Sequence, residues 1–272
     1  MHFNLSRGLI RLDGKDSLDL LNRLSTNKTN PLSINQFVNT VLLNEKGRII
    51  DLVTVFYFGD YVLLLTSSVY TLKVKEYLDK YIIMDDVNVT VISDKLRVTW
   101  EINSNNTEVN NFINEDGKIA YTDNLFFNKK ITIYLNESFE ESVNSDFELF
   151  RIDNMIPVAP NELNENTNPL ECGLKSLISF SKGCYIGQEV IARLDAQDKI
   201  PKKMKRFESE ENVKPGDKIY YSISGNDEKK ECGVITSFEK NKGLLFIRSV
   251  TLEGNYDYYS NTNNKFNKIN FN

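Results

Sequence analysis

Eight consecutive residues, Lys182-Gly183-Cys184-Tyr185-Ile186-Gly187-Gln188-Glu189, bring together a thiol, a cation, an amide, a carboxylate and two glycines. A lysine two residues before Cys184 and a helix start at about Gly187 both favour the thiolate form. The apolar run Leu177-Ile178-Ser179-Phe180 leads into the segment, and Val190-Ile191-Ala192-Arg193-Leu194 reads as the helix that follows. Glycines serve where backbone turns sharply or approaches another group closely. Cys184 is then either a reactive thiol or one that packs beneath a ligand. Tyr185 either stacks on a flat ligand or fills core. Lys182, Gln188 and Arg193 are contacts to an anionic group, or else charges on a short helix. Glu189 complements the helix dipole.

Elsewhere the chemistry is sparse. The sole histidine is His2, which excludes triads and histidine bases from the body of the chain. Carboxylates, Cys184 or a bound cofactor must carry any reaction. Asp51 lies between Ile50 and Leu52 in a strand pattern, so it faces solvent unless it has a function. Asp153, in Arg151-Ile152-Asp153-Asn154-Met155-Ile156-Pro157, either makes a local backbone bond at a helix end or accepts two parallel N–H donors from a ligand. Cys172, Cys184 and Cys232 form no C-x-x-C pair, so no metal-ligand set is legible. Cys172 and Cys232 each follow a glutamate, whose charge disfavours a thiolate.

The eight-residue segment matches every fixed position of K-G-C-[YF]-x-G-Q-E. That is the signature of the YgfZ-type folate-binding proteins, relatives of the glycine-cleavage T-protein, an aminomethyltransferase. Further segments match in order: Arg7-Gly8-Leu9-Ile10-Arg11-Leu12-Asp13-Gly14-Lys15-Asp16, Leu20-Leu21-Asn22-Arg23-Leu24-Ser25-Thr26-Asn27, Leu43-Asn44-Glu45-Lys46-Gly47-Arg48-Ile49-Ile50-Asp51 and Asn168-Pro169-Leu170-Glu171-Cys172-Gly173-Leu174. The resemblance covers roughly residues 5–195. It implies three parts arranged as a ring around a folate cavity. It also implies tetrahydrofolate or a derivative as cofactor, with Asp153, Thr26, Asn27, Arg151, Lys182, Tyr185, Gln188 and Arg193 as contacts. By resemblance, the function is support of iron–sulfur cluster assembly or repair, including on tRNA-modifying enzymes, with client or assembly proteins as partners. The alternatives are a folate-dependent aminomethyl- or methyltransferase, and a scaffold with a vestigial cavity. In the aminomethyltransferases an R-L-E-A-G-M-P segment supplies a pterin-holding glutamate, and here the acid is Asp153, one methylene shorter. Those enzymes also carry Gly-Gly and then Asp-Asp, where this chain has Gly47-Arg48 and then Asp51-Leu52.

The elements that must position these residues follow from composition and periodicity. The chain has 272 residues, 40% hydrophobic and 26% charged, enough for two or three small domains. A net charge of −5 argues against a broad nucleic-acid footprint. The basic stretch Lys199, Lys202, Lys203, Lys205 and Arg206 reads as a solvated linker. No apolar run reaches a membrane span, and no signal or transit leader is legible, so no membrane partner and a cytoplasmic location are expected. Strands are expected at Leu9–Asp13, Phe37–Asn44, Arg48–Phe58 and Tyr61–Thr66, with a hairpin turn at Asn44–Gly47. Asp16 should cap a helix with Leu18, Leu21 and Leu24, and Ser67 or Ser68 should cap another through Tyr81. Val87–Val91 and Leu96–Ile102 read as two paired strands. Residues 103–111 read as a loop, and Ser145-Asp146-Phe147-Glu148 as a capping box. Asn161–Asn168 reads as a surface loop. The pattern gives an α+β fold of antiparallel sheets with flanking helices and a small C-terminal β-barrel. The expected domains are 1–36 with 97–205, 37–96, and 206–272.

Overall fold

In the computed structural model, which describes residues 1–102, 111–140, 144–223, 228–262 and 265–271, the chain divides into two compact units. The first comprises Met1–Val143, Leu163–Asn168 and Lys175–Ala192. The second comprises Asn144–Glu162, Pro169–Leu174 and Arg193–Asn272. The expected loop at 103–111 falls almost wholly outside the described residues.

The first unit is built on one antiparallel sheet. Its strands are β1 (His2–Asp13), β2 (Phe37–Leu43), β3 (Ile49–Tyr57), β4 (Tyr61–Ser67), β5 (Asn88–Ile102), β6 (Phe112–Glu115), β7 (Lys118–Asp123) and β8 (Lys129–Ser138). They run in the order β2-β3-β4-β1-β5-β8-β7-β6. The two edges meet at one end, where Gln36 bridges Asn111 and Phe112 N donates to Asn35 O at 2.9 Å. The hairpin between β2 and β3 forms as the Asn-Gly pattern requires. Asn44 Oδ1 accepts from the backbone of Lys46 and Arg48, and Gly47 has a φ of 67°.

Period-2 alternation gives the sheet two faces. One carries Ile10, Leu12, Val53, Val55, Val62 and Leu64, and packs on α1 (Ser17–Leu24) and α2 (Thr71–Tyr81) through Leu20, Leu21, Leu24, Val74 and Leu78. The other carries Phe56, whose ring centroid lies 5.3 Å from that of Phe112 and 5.0 Å from that of Tyr121. A polar network sits on this second face. Thr54 Oγ1 donates to Asn39 Oδ1 at 2.7 Å, and Asn39 Nδ2 donates to Asp123 Oδ1 at 2.8 Å. Lys129 Nζ donates to Asp123 Oδ2 and to Leu125 O, each at 2.7 Å, and lies over the rings of Trp100 and Phe127.

Several local expectations need correction. Residues 88–102 form a single strand, both halves of which pair with β1. Register shifts opposite Arg7–Ile10 take up the polar stretch around Asp94. Asp16 occupies the cap position of α1, but its carboxylate accepts from Asp86 N at 2.8 Å rather than from the helix. Ser67 makes no cap bond either, because its hydroxyl is drawn to Asp51 at 2.7 Å.

In the second unit, α3 (Ser145–Asp153) is capped by Asn144, one residue before the expected capping box. Its side chain accepts from Asp146 N and Phe147 N. The chain then passes through α4 (Gln188–Ala196), which begins in the first unit. The strands β9 (Lys202–Glu208), β10 (Lys218–Ile223), β11 (Lys230–Glu239), β12 (Lys242–Arg248), β13 (Tyr256–Thr262) and β14 (Lys265–Phe271) close into a barrel of order β10-β11-β12-β9-β14-β13. Phe207, Ile219, Ile235, Leu245, Ile247 and Ile269 fill it. The basic stretch is therefore a barrel strand, β9, and not a linker.

Among the described residues, no helix is long and apolar enough to cross a membrane. Lys129 and Asp123 are both buried, so removing one partner leaves the other charge uncompensated. Lys129→Met should cost about 3–5 kcal/mol, read as a lower urea midpoint for the unit that holds the sheet. An unchanged midpoint would show that the pair contributes nothing.

Candidate functional site

The residues flagged by the eight-residue segment form a structural clasp in the first unit. α1 ends at Leu24, leaving carbonyls of its last turn without helical partners. Lys182 Nζ donates to three carbonyls there: Asn22 at 2.6 Å, Ser25 at 2.8 Å and Asn27 at 2.7 Å. An ammonium has three donors, and all three are taken. Burial pushes the Lys182 ammonium down to about 8, while the three carbonyls favour its charged form.

Thr26 and Asn27 continue the clasp. Thr26 Oγ1 donates to Leu177 O at 2.7 Å and accepts from Val41 N at 3.2 Å. Ser179 N donates to Thr26 O at 2.9 Å. Asn27 N donates to Thr40 Oγ1, and Asn27 Nδ2 to Asn39 O. The lead-in to the segment is thus tied to α1 and to strand β2.

At the other end, Gly187 meets the β2–β3 hairpin. Its φ is 80°, and a Cβ there would lie 2.7 Å from Asn44 O and 2.9 Å from Gly47 Cα. Two glycines allow backbone to touch backbone where any side chain would separate them. Gln188 Oε1 accepts from Tyr185 N at 3.3 Å at the start of α4, and Tyr185 is buried beside Lys182. Cys184 is exposed on the clasp, whereas Cys172 and Cys232 are buried. Burial, more than the neighbouring Glu231, pushes the Cys232 thiol up to about 12.

Asp51 is fully buried and does not face solvent as its strand pattern implied. Its Oδ2 accepts from Ser67 N at 2.8 Å. Its Oδ1 accepts from Ser67 Oγ at 2.7 Å and from Leu52 N at 2.9 Å. Desolvation raises its pKa to about 6, against the opposing pull of the Ser67 bonds and the Arg7 charge. A bulge lies between Leu42 and Leu43 here: Asp51 pairs with Leu42, and its carboxylate reaches Ser67, which pairs with Arg7. Leu52, paired with Val41, alternates onto the face of Thr54 and Phe56. Arg7 shares that face. Its neighbour but one, Leu9, pairs with Leu65, and Leu65 pairs with Thr54. Arg7 carries no motif of its own, and only the registers of β1, β3 and β4 together locate it.

In the second unit, Arg151 is fully buried and held by protein groups. Its Nε donates to both Glu148 oxygens at 2.9 Å, its Nη1 to Glu162 at 3.3 Å, and its Nη2 to Ser237 Oγ at 2.7 Å. Glu162 belongs to the stretch expected as a surface loop, yet Glu162, Leu163, Thr167 and Asn168 are buried. Asp153 accepts from Lys242 at 2.8 and 3.0 Å and from Arg206 at 3.3 Å. Its Oδ2 takes one of those bonds, so the carboxylate keeps acceptor capacity. Arg193 lies in the last turn of α4. Among the described residues, no group of three or more His, Cys, Asp or Glu could hold a metal ion.

Comparisons with known proteins agree with this architecture. Residues 5–99 match the family described as the GCVT N-terminal domain. The chain is 25% identical over 279 residues to a chloroplastic protein of Arabidopsis thaliana described as a transferase. The match covers 89% of this chain and 63% of that protein, so the chain spans less than two thirds of the plant relative. It is 24% identical over 288 residues to an aminomethyltransferase of Caldanaerobacter subterraneus subsp. tengcongensis, covering 89% of this chain and 75% of that protein. The crystal structure of the glycine cleavage system aminomethyltransferase T from Bartonella henselae superposes with a TM-score of 0.77 at 13% identity, covering 98% of this chain and 83% of that one. The fold is that of the aminomethyltransferases: antiparallel sheets, few helices and a closed six-stranded barrel.

Asp51 provides a pH test. Its folded-state pKa lies above the unfolded value, so the folded protein binds the extra proton between about pH 4 and pH 6. Raising the pH through that window should cost wild type about 3 kcal/mol relative to Asp51→Asn. Urea unfolding of both proteins across the window measures it, and parallel profiles would show that Asp51 does not titrate abnormally.

Proposed function

We propose that the protein binds a reduced folate, tetrahydrofolate or a derivative, and does not carry out aminomethyl transfer. The observation that carries this reading is the placement of Asp51 and Leu52. Asp51 is buried and held by Ser67, while Leu52, paired with Val41, lies on the second face. By resemblance, the aminomethyltransferases use a carboxylate beside folate N5 and N10, drawn from their paired Asp-Asp. Here the second position of that pair is the apolar Leu52.

One face of the first unit suits such a ligand. The second face of the sheet combines aromatic walls, buried polar groups and a half-buried cation, Arg7, the mixture that small-molecule sites use. A bound folate would supply a carrier of one-carbon units. The resemblance of the Lys182–Glu189 signature supports a finer role, assistance to iron–sulfur cluster assembly or repair, including for tRNA-modifying enzymes. The exposed Cys184 thiol is chemically suited to a transient contact with a cluster or client protein.

Titration with tetrahydrofolate, followed by calorimetry or by the fluorescence of Trp100, is the test. The expected affinity is micromolar, about −8 kcal/mol. Asp153→Ala should weaken it by about 1.5–3 kcal/mol. No saturable binding would refute the folate reading. Efficient production of methylenetetrahydrofolate from an aminomethylated carrier would reinstate the transferase.

A further inference from the structure

Arg7 is half-buried in β1 and makes no hydrogen bond or ion pair with any described residue. A guanidinium has five N–H donors, and a group of this kind inside a curled sheet needs acceptors. The carboxylates nearby bond to other groups and not to Arg7. Asp123 accepts from Lys129, Asn39 and Leu125 N, and Asp51 accepts from Ser67 and Leu52 N. Leu52 and Leu65, on the same face, offer none. The Arg7 charge is nevertheless felt by Asp51, Tyr121 and Lys129. The registers of β1, β4 and β3 place Arg7 on the second face, which also carries the polar network and the aromatic wall.

We propose that Arg7 is a ligand-binding residue that takes a carboxylate in a bidentate pair. A planar, singly charged carboxylate matches the guanidinium fork. A phosphate dianion matches it less well, because the buried charges of Asp51 and Asp123 oppose a second negative charge. The assignment rests on the folate reading for the identity of that carboxylate, which is then one of the two on the glutamyl tail.

The test compares wild type, Arg7→Gln and Arg7→Lys, with tetrahydrofolate, p-aminobenzoylglutamate and a tetrahydropterin lacking the glutamyl tail as probes. Arg7 holds no other part of the protein, so the thermal midpoint of Arg7→Gln should match wild type. Arg7→Gln should bind tetrahydrofolate and p-aminobenzoylglutamate about 10- to 100-fold more weakly. Its affinity for the tetrahydropterin should be unchanged, and Arg7→Lys should recover part of the loss. Equal affinity of wild type and Arg7→Gln for tetrahydrofolate overturns the proposal, as does an equal loss for the tetrahydropterin. A second arm is independent of folate: labelling with phenylglyoxal, read by mass spectrometry at Arg7, with and without glutarate. Protection of Arg7 by glutarate upholds a carboxylate site even if wild type binds no folate. Absence of protection, in that case, removes the site together with the folate reading.

Discussion

Three hydrogen bonds from one ammonium organise the first unit. Lys182 reaches the carbonyls of Asn22, Ser25 and Asn27 just where α1 runs out of internal partners. A cation at a helix C-terminus is favoured by the dipole, and here it is also the donor that those carbonyls lack. The consequences travel outward. With Ser25–Asn27 fixed, Thr26 and Asn27 can bond along β2, and β2 sets the register of β3. The segment then runs to Gly187, which touches Gly47 at the tip of the β2–β3 hairpin. The lysine and the second glycine of the signature thus grip the same strand pair from two ends. The cysteine between them is left exposed.

That register decides which chemistry is possible. Asp51 and Leu52 are adjacent in β3, beside a bulge between Leu42 and Leu43. Asp51 is buried and held by Ser67. Leu52 is turned toward the aromatic face, where it lines up with Thr54 and Phe56 rather than offering a charge. The same face carries the arginine in β1. The fold is that of the aminomethyltransferases, and this face carries an arginine and an apolar Leu52.

Much of the fold was legible in the sequence because its signals are local. Asn44 and Gly47 specify a turn, the flanking runs alternate, and the glycine-punctuated strands after residue 200 read as a barrel. What escaped depended on partners distant in sequence. Asp16 and Ser67 both look like caps, but Asp86 and Asp51 claim their side chains. Asn144 and Ser145 are equally good caps by type, and backbone geometry chose the first. Glu162 is a polar residue in a polar stretch, and its burial follows from Arg151 and Ser237, the latter 75 residues away. The signature was conspicuous, yet Lys182, Thr26 and Asn27 could not be recognised as a clasp until α1 was seen to end beside them. Arg7 carried no signal, because only the registers of β1, β3 and β4 together place it.

The clasp itself is the claim on which the rest depends. It is tested most directly by native-state amide hydrogen exchange of Lys182→Met, which keeps the length of the side chain and removes the ammonium. The amides of residues 17–29 and of Val41 should lose protection by roughly tenfold or more, because three carbonyls lose their donor at once. The amides of the barrel, 202–271, should exchange as in wild type. Unchanged protection over residues 17–29 would contradict the account, because Lys182 would then be dispensable to α1 and to the strand it positions.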